Sequence, residues 1–231
     1  MRRTLDETRT LLLDTALRLL YEKGLFVAVT HIRLADVARE ADLTTGAAYR
    51  IWERQEDFHR DLAVAAVRHR EIDSIQATFD RVHQAIAEGA PLAEVLRLGA
   101  LAGLYPNGPT DPFLITLALR AASGNVPELA EASRLRHAES MAAFEALYQA
   151  LLHRYGRTMR PPFGLEALSH SLAALSEGFA MQTMSGVAHP TYELDPTDPR
   201  IGREWTLLGV AVEALVDRLT VEALVDRLTV E

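Results

Sequence analysis

Apolar residues recur at intervals of three and four along most of the chain, Ala, Leu, Glu and Arg dominate, and no stretch sustains a period-two alternation. The pattern predicts an all-α protein with no sheet. Thr4 followed by Glu7 has the spacing of a reciprocal helix cap, and Leu12, Leu13, Ala16, Leu17 and Leu20 then form one stripe that stops at Lys23-Gly24. Breaks fall at Gly89-Ala90-Pro91, Tyr105-Pro106-Asn107-Gly108-Pro109, Arg160-Pro161-Pro162 and the proline-rich stretch 189–200. Residues 56–75 contain nothing like a flexible linker, so a continuous helix is expected to join a small N-terminal domain, residues 1–55, to a larger helical one, residues 56–231.

The last part of the chain repeats itself: VEALVDRLT occupies 212–220 and again 221–229. Nine residues at about 100° each turn an ideal helix by half a turn net, so Val221, Leu224, Val225 and Leu228 would face away from the first copy's stripe. One packing surface cannot serve both copies. The second is expected to fray or project, with contact to a partner chain as the alternative.

The most informative segment is 29–58, VTHIRLADVAREADLTTGAAYRIWERQEDF, which reads as two short amphipathic helices meeting at a tight turn. Such a motif needs a small residue where the helices touch, a residue that tolerates the left-handed conformation, and a cap opening the second helix. Ala38, Asp42 and Thr44 supply these, Asp42 because its short polar side chain tolerates that conformation better than most. Ile32, Val37, Ala38 and Ala41 form the apolar face. Trp52 reads as a core residue.

Composition narrows the chemistry. The 231 residues are 48% hydrophobic and include no cysteine, which removes disulfides, thiolate nucleophiles and cysteine-ligated metals. No serine elbow or glycine-rich phosphate loop is present, and the histidines at 31, 59, 69, 83, 137, 153, 170 and 189 never stand four apart, so neither an enzyme nor a cofactor is expected. Residues 1–10 lack the apolar core of an export signal, and no run approaches the roughly 18 apolar residues of a membrane span, which points to a cytoplasmic protein with no membrane partner. The net charge of −8 argues against nucleic acid until it is divided: residues 1–70 hold 12 basic and 11 acidic side chains, the remainder 12 and 21. The acidity belongs to the larger domain.

With Val37-Ala38, the turn Asp42-Leu43-Thr44, then Gly46, Ala48-Tyr49, Trp52 and Gln55-Glu56, the segment resembles the TetR family of bacterial transcriptional regulators, and the helix before Gly24 is similar to that family's first helix. The resemblance covers about 55 residues; beyond residue 70 it is one of helix number, with LSEGFAMQTM at 175–184 similar to many members' interface helix. It implies an N-terminal three-helix helix-turn-helix domain followed by a ligand-binding and dimerisation domain. Thr45, Gly46, Ala47, Tyr49 and Arg50 would face a double-stranded operator, with Thr44 capping the helix, and Arg33, Arg54 and Gln55 would flank them. These three depart from the usual pattern, which has a capping threonine near Arg33 and a lysine at Gln55. Arg2 and Arg3 offer a basic arm, and Arg50 can reach a guanine edge or a phosphate.

The resemblance also implies a pocket for a small-molecule effector, for which Phe113, Met141, Phe144, Tyr148 and Phe179 are the candidates, with His137 and His170 as polar contacts. Leu168, Leu172, Leu175, Phe179, Leu208, Val212, Leu215 and Leu219 are the candidates for a homodimer interface of four helices. Two recognition helices must stand about 34 Å apart to enter successive major grooves, which makes a dimer a requirement. The expected function is a repressor released by its effector; the alternative is a helical interaction protein with a degenerate helix-turn-helix.

Overall fold

The structure, a computed structural model, describes residues 3–23, 29–69, 72–104 and 112–223, with side chains except at 72–78, 103–104, 112–113 and 184. Gly24, Arg2, the break at 105–109 and the side chain of Phe113 lie outside them. Ten α-helices are described: α1 Leu5–Lys23, α2 Leu34–Glu40, α3 Thr45–Tyr49, α4 Gln55–Arg68, α5 Ile72–Ala87, α6 Leu92–Leu104, α7 Pro112–Ala121, α8 Pro127–Arg154, α9 Leu165–Met184 and α10 Leu207–Leu219. None of the described helices is long and apolar enough to cross a membrane.

The fold is all-α as expected, but the absence of strands was wrong in detail. Four three-residue strands form two antiparallel pairs, β1 (Arg157–Met159) with β4 (Thr220–Glu222) and β2 (Thr191–Glu193) with β3 (Glu204–Thr206). Strands this short leave no period-two signal.

The chain divides into two compact units, residues 1–72 with 106–137 and residues 73–105 with 138–231. In the first, α1 opens with the expected cap: the Thr4 N–H donates to Glu7 Oε2 at 2.7 Å and the Glu7 N–H to Thr4 Oγ1 at 3.2 Å. Leu12, Ala16, Leu17 and Leu20 then bury against Ile32, Leu34, Val37, Ala38, Ala48, Trp52, Phe58 and Leu62. Residues 56–75 do not form the continuous helix expected. His69 adopts φ −59° and ψ 121°, its ring packs 5.4 Å from that of Tyr21 on α1, and α4 ends there.

The second unit is built on α6, α9 and α10, with Val95, Leu96, Leu168, Leu172, Val216 and Leu219 among its buried residues. A largely enclosed ion pair holds the β2–β3 hairpin to α6. Arg97 donates to both carboxylate oxygens of Glu94 at 2.7 and 2.8 Å and to the Glu204 carbonyl at 3.1 Å, while Glu94 Oε2 accepts the Gly202 N–H at 2.8 Å. Burial pushes the Glu94 carboxyl up, but the donors from Arg97 and Gly202 outweigh it and hold the group below the usual carboxylate range.

The tandem repeat breaks its own helix. Val212 and Glu213 lie in α10, whereas their duplicates Val221 and Glu222 lie in β4, so α10 does not run on into the second copy, whose Leu224, Val225 and Leu228 lie outside the described residues. The cause lies outside the repeat. The Arg160 N–H donates to the Leu219 carbonyl at 2.8 Å, Arg160 Nε to the Arg218 carbonyl at 3.0 Å, and Arg157 Nε to Thr220 Oγ1 at 2.7 Å, so the carbonyls that a further turn would need are already taken. The Ala223 N–H, bonded to the Gly156 carbonyl at 2.7 Å, is the last described contact.

Candidate nucleic-acid interface

α2 ends in a double closure: the Asp42 N–H donates to the Arg39 carbonyl at 3.2 Å and the Leu43 N–H to the Ala38 carbonyl at 2.8 Å. That pattern requires a left-handed residue, and Asp42 takes it with φ 53°, the one described non-glycine residue at positive φ. Thr44 follows in extended conformation and accepts the Ala47 N–H on its hydroxyl at 3.2 Å, opening α3. Asp42 and Thr44 therefore do what their sequence positions predicted.

α3 buries one face and exposes the other. Ala48 has no solvent exposure, and Thr45, Gly46, Tyr49 and Arg50 are exposed, Tyr49 by 41%. Ala47 is half-buried. Nothing stands within 4 Å of where a Cβ on Gly46 would be, so a flat surface can approach the backbone there. Trp52 is 4% exposed, edge-on to Phe58, and donates its indole N–H to Asp61 Oδ2 at 2.7 Å, while Arg9 of α1 donates to the same oxygen at 2.7 Å. This three-residue lock fixes the exit of α3 against α1 and α4.

The flanking residues divide. Arg33 is exposed at the start of α2 and makes no cap with its side chain, and Arg54 is exposed beside Asp57 at 3.7 Å. Gln55 turns inward: its Oε1 accepts the Leu34 N–H at 3.0 Å, its Nε2 donates to the Ile32 carbonyl at 2.9 Å, and the same nitrogen lies 2.7 Å from His59 Nε2. Gln55 thus caps α2 from 21 residues away, in place of the threonine missing at Arg33. Its side chain is committed to that role and is not displayed.

In the second unit Met141 is buried, and Phe144 stacks between Tyr148 at 5.9 Å and Phe79 of α5 at 5.6 Å, a partner the sequence did not single out. Burial pushes the Tyr148 hydroxyl up to about 12. Phe179 stands apart from this ladder, 4.7 Å from the His189 ring and packed on Ala100 and Leu208. His137 lies 3.4 Å from Arg120, and Ser169, which no motif marked, has a buried hydroxyl without a partner among the described residues. Among the described residues no group of three His, Asp or Glu is placed to hold a metal ion.

Of the leucines offered for a dimer, Leu168, Leu172, Leu208 and Leu219 are buried within their own chain and cannot also face a partner. Periodicity marks an apolar face without saying whose core it enters. Leu175, Phe179, Val212 and Leu215 stay half-buried.

Over 91% of its length, and 94% of the other chain, this chain is similar to a Rhodococcus sp. RHA1 protein classed by inference as a transcriptional regulator, at a TM-score of 0.54 and 17% identity. A Vibrio parahaemolyticus protein assigned by inference to the TetR family of transcriptional regulators matches 92% of this chain with 98% of its own, at 0.51 and 20% identity. The chain has a TetR-type fold. A regulator similarly classed from Pseudomonas aeruginosa PAO1 covers 94% of it, with 92% of its own length, at 0.51 and 17% identity. No protein-family model matches the sequence, and no curated protein matches it. Within the TetR-type fold, the Asp42 turn and the exposed side of α3 form the helix-turn-helix.

The left-handed turn is testable. Asp42→Val should cost about 1–2 kcal/mol in urea unfolding, because a β-branched residue is strained at positive φ, whereas Asp42→Gly should leave the unfolding free energy within about 0.5 kcal/mol of the original. Equal behaviour of the two variants would mean that the turn does not hold this conformation in solution.

Proposed function

We propose that the chain is a DNA-binding transcriptional regulator that acts as a homodimer, and is released from its operator by a small apolar or amphipathic effector. The observation that carries the reading is the rigidly mounted, outward face formed by Thr45, Gly46, Tyr49 and Arg50, closed behind by Ala48 and Trp52. Arg50 suits a guanine edge or a phosphate, Tyr49 a phosphate oxygen, and Gly46 close approach of the backbone. Arg33 and Arg54 add exposed positive charge on either side, and Thr44 sets the start of the helix.

Residues 1–55 would form the reading head, and residues 56–231 the sensing and dimerisation body. The effector would enter beside Met141, Phe144 and Tyr148. α8 carries all three and, nearer its start, packs Leu129 and Ala132 against Val67 of α4. A shift of α8 on effector binding would therefore reach the helix that leads out of the reading head. Coupling of about 1–3 kcal/mol is typical and suffices for release. For the homodimer, the half-buried Leu175, Phe179, Val212 and Leu215 and the exposed Ala174, Gly178, Met181 and Ala214 on α9 and α10 are the surfaces left for a partner.

Duplexes selected from a random pool by the full chain should bind about a thousandfold or more tighter than random DNA, with affinity falling steeply between about 50 and 200 mM salt. Arg50→Ala should cost about 1–3 kcal/mol on the selected duplex and relax selectivity at one base position. Equal affinity for selected and random DNA would leave a helical interaction protein with an inert helix-turn-helix.

A further inference from the structure

The proline-rich stretch after α9 folds into a feature that neither the helical pattern nor the reading head calls for. Thr191, Tyr192 and Glu193 of β2 are all exposed, whereas across the hairpin Trp205 and Thr206 of β3 are buried. A two-stranded ribbon is at best marginal by itself, yet this one is firmly held. Trp205 donates its indole N–H to the Gly202 carbonyl at 2.9 Å, and the Glu94–Arg97 pair grips Gly202 and Glu204. The hairpin is anchored along β3 and presents β2 outward.

Backbone alternation shows which groups β2 offers. The Leu194 N–H donates to the Arg203 carbonyl at 2.8 Å, and the register pairs Tyr192 with Trp205. Residues 192 and 194 therefore direct their N–H and C=O groups at β3, and Thr191 and Glu193 direct theirs to the open side. The Glu204 carbonyl, reached by Arg97 from beyond the ribbon, fits the same alternation on the opposite edge. Four of the eight large apolar residues exposed in the described chain fall between the last turn of α9 and the residue after β2: Met181 on α9, Val187 between the two elements, Tyr192 in β2 and Leu194 directly after it. An open strand edge flanked by exposed apolar side chains invites a strand partner.

We infer that the open edge of β2 pairs antiparallel with the same edge of a second copy of this chain, making a four-stranded sheet across the twofold axis with Tyr192 at its centre. The edge is self-complementary in this register. Tyr192 faces Tyr192 of the partner as a non-hydrogen-bonded pair, and Thr191 faces Glu193 of the partner as a pair exchanging both backbone bonds, which uses the groups that β3 leaves free. No like charges meet: Glu193 and Asp195 each have Arg203 of their own chain 3.6 Å away. Pro190 and Pro196 bracket the strand and keep the extended run between them short, and an edge that pairs with itself about a twofold axis is closed by that pairing, so it does not seed an open-ended stack.

The inference rests on the proposed homodimer and adds to its helical surfaces an arm reaching across the axis. The chain has no cysteine, so a single introduced thiol reports without background. In a non-hydrogen-bonded antiparallel pair the Cα atoms stand about 4.5 Å apart, within disulfide range. The full-length Tyr192→Cys protein should therefore form a disulfide-linked dimer on mild oxidation, while Phe163→Cys, exposed to a similar degree in the same unit, should not. Thr191→Pro removes an outward N–H without touching the ladder to β3, and should raise the dimer dissociation constant by about tenfold or more in sedimentation while leaving the circular dichroism unchanged. Dimeric wild-type protein whose Tyr192→Cys thiol stays free, with Thr191→Pro dimerising normally, would overturn the arm and leave the regulator reading standing. A monomeric wild-type chain would overturn both.

Discussion

Everything the first unit can present to a partner depends on how α2 gives up its last carbonyls. A five-residue helix such as α3 has no stability of its own, because a single turn does not repay the cost of nucleation. It exists because the chain reverses within three residues of α2 and is pinned on both sides. Asp42 closes α2 in the left-handed conformation, Thr44 opens α3, and the lock of Arg9, Asp61 and Trp52 holds the far end. The outward direction of Tyr49 and Arg50 follows from those constraints and not from any preference of their own.

The second unit uses the same device over longer reach. Arg160 ends α10 by occupying its terminal carbonyls, and the Glu94–Arg97 pair ties a hairpin to α6. Such enclosed polar ties add little net stability when complete, but they are costly to break, and so they fix geometry. Gln55 belongs to the same class. It restores to α2 the cap that Arg33 does not supply, and its side chain is thereby turned inward.

What could be read from the sequence was local. The reciprocal cap of Thr4 and Glu7, the left-handed Asp42, the capping Thr44 and the inward Trp52 each depend on residues a few positions away, and each is found where the sequence put it. What could not be read depends on distance along the chain. Gln55 meets Leu34 across 21 residues and Arg160 meets Arg218 across 58, and no spacing rule announces either. The tandem repeat makes the same point within one chain, since identical Val-Glu pairs are helical at 212 and extended at 221. Leu168 and Leu208 show the remaining gap: a leucine stripe identifies a buried face, but only the fold shows that the chain covers it by itself.

The central claim is that the exposed side of α3 enters a major groove, twice, about one helical turn apart. Dimethyl sulfate protection tests this directly, because it reports guanine N7, which lies in that groove. On a duplex selected by the full chain, two clusters of protected guanines should appear on one face of the DNA with centres about 34 Å apart or a multiple of that, and both should disappear when Tyr49 and Arg50 are replaced by alanine. Tight binding with no guanine protected, or protection unchanged by those replacements, would contradict the account.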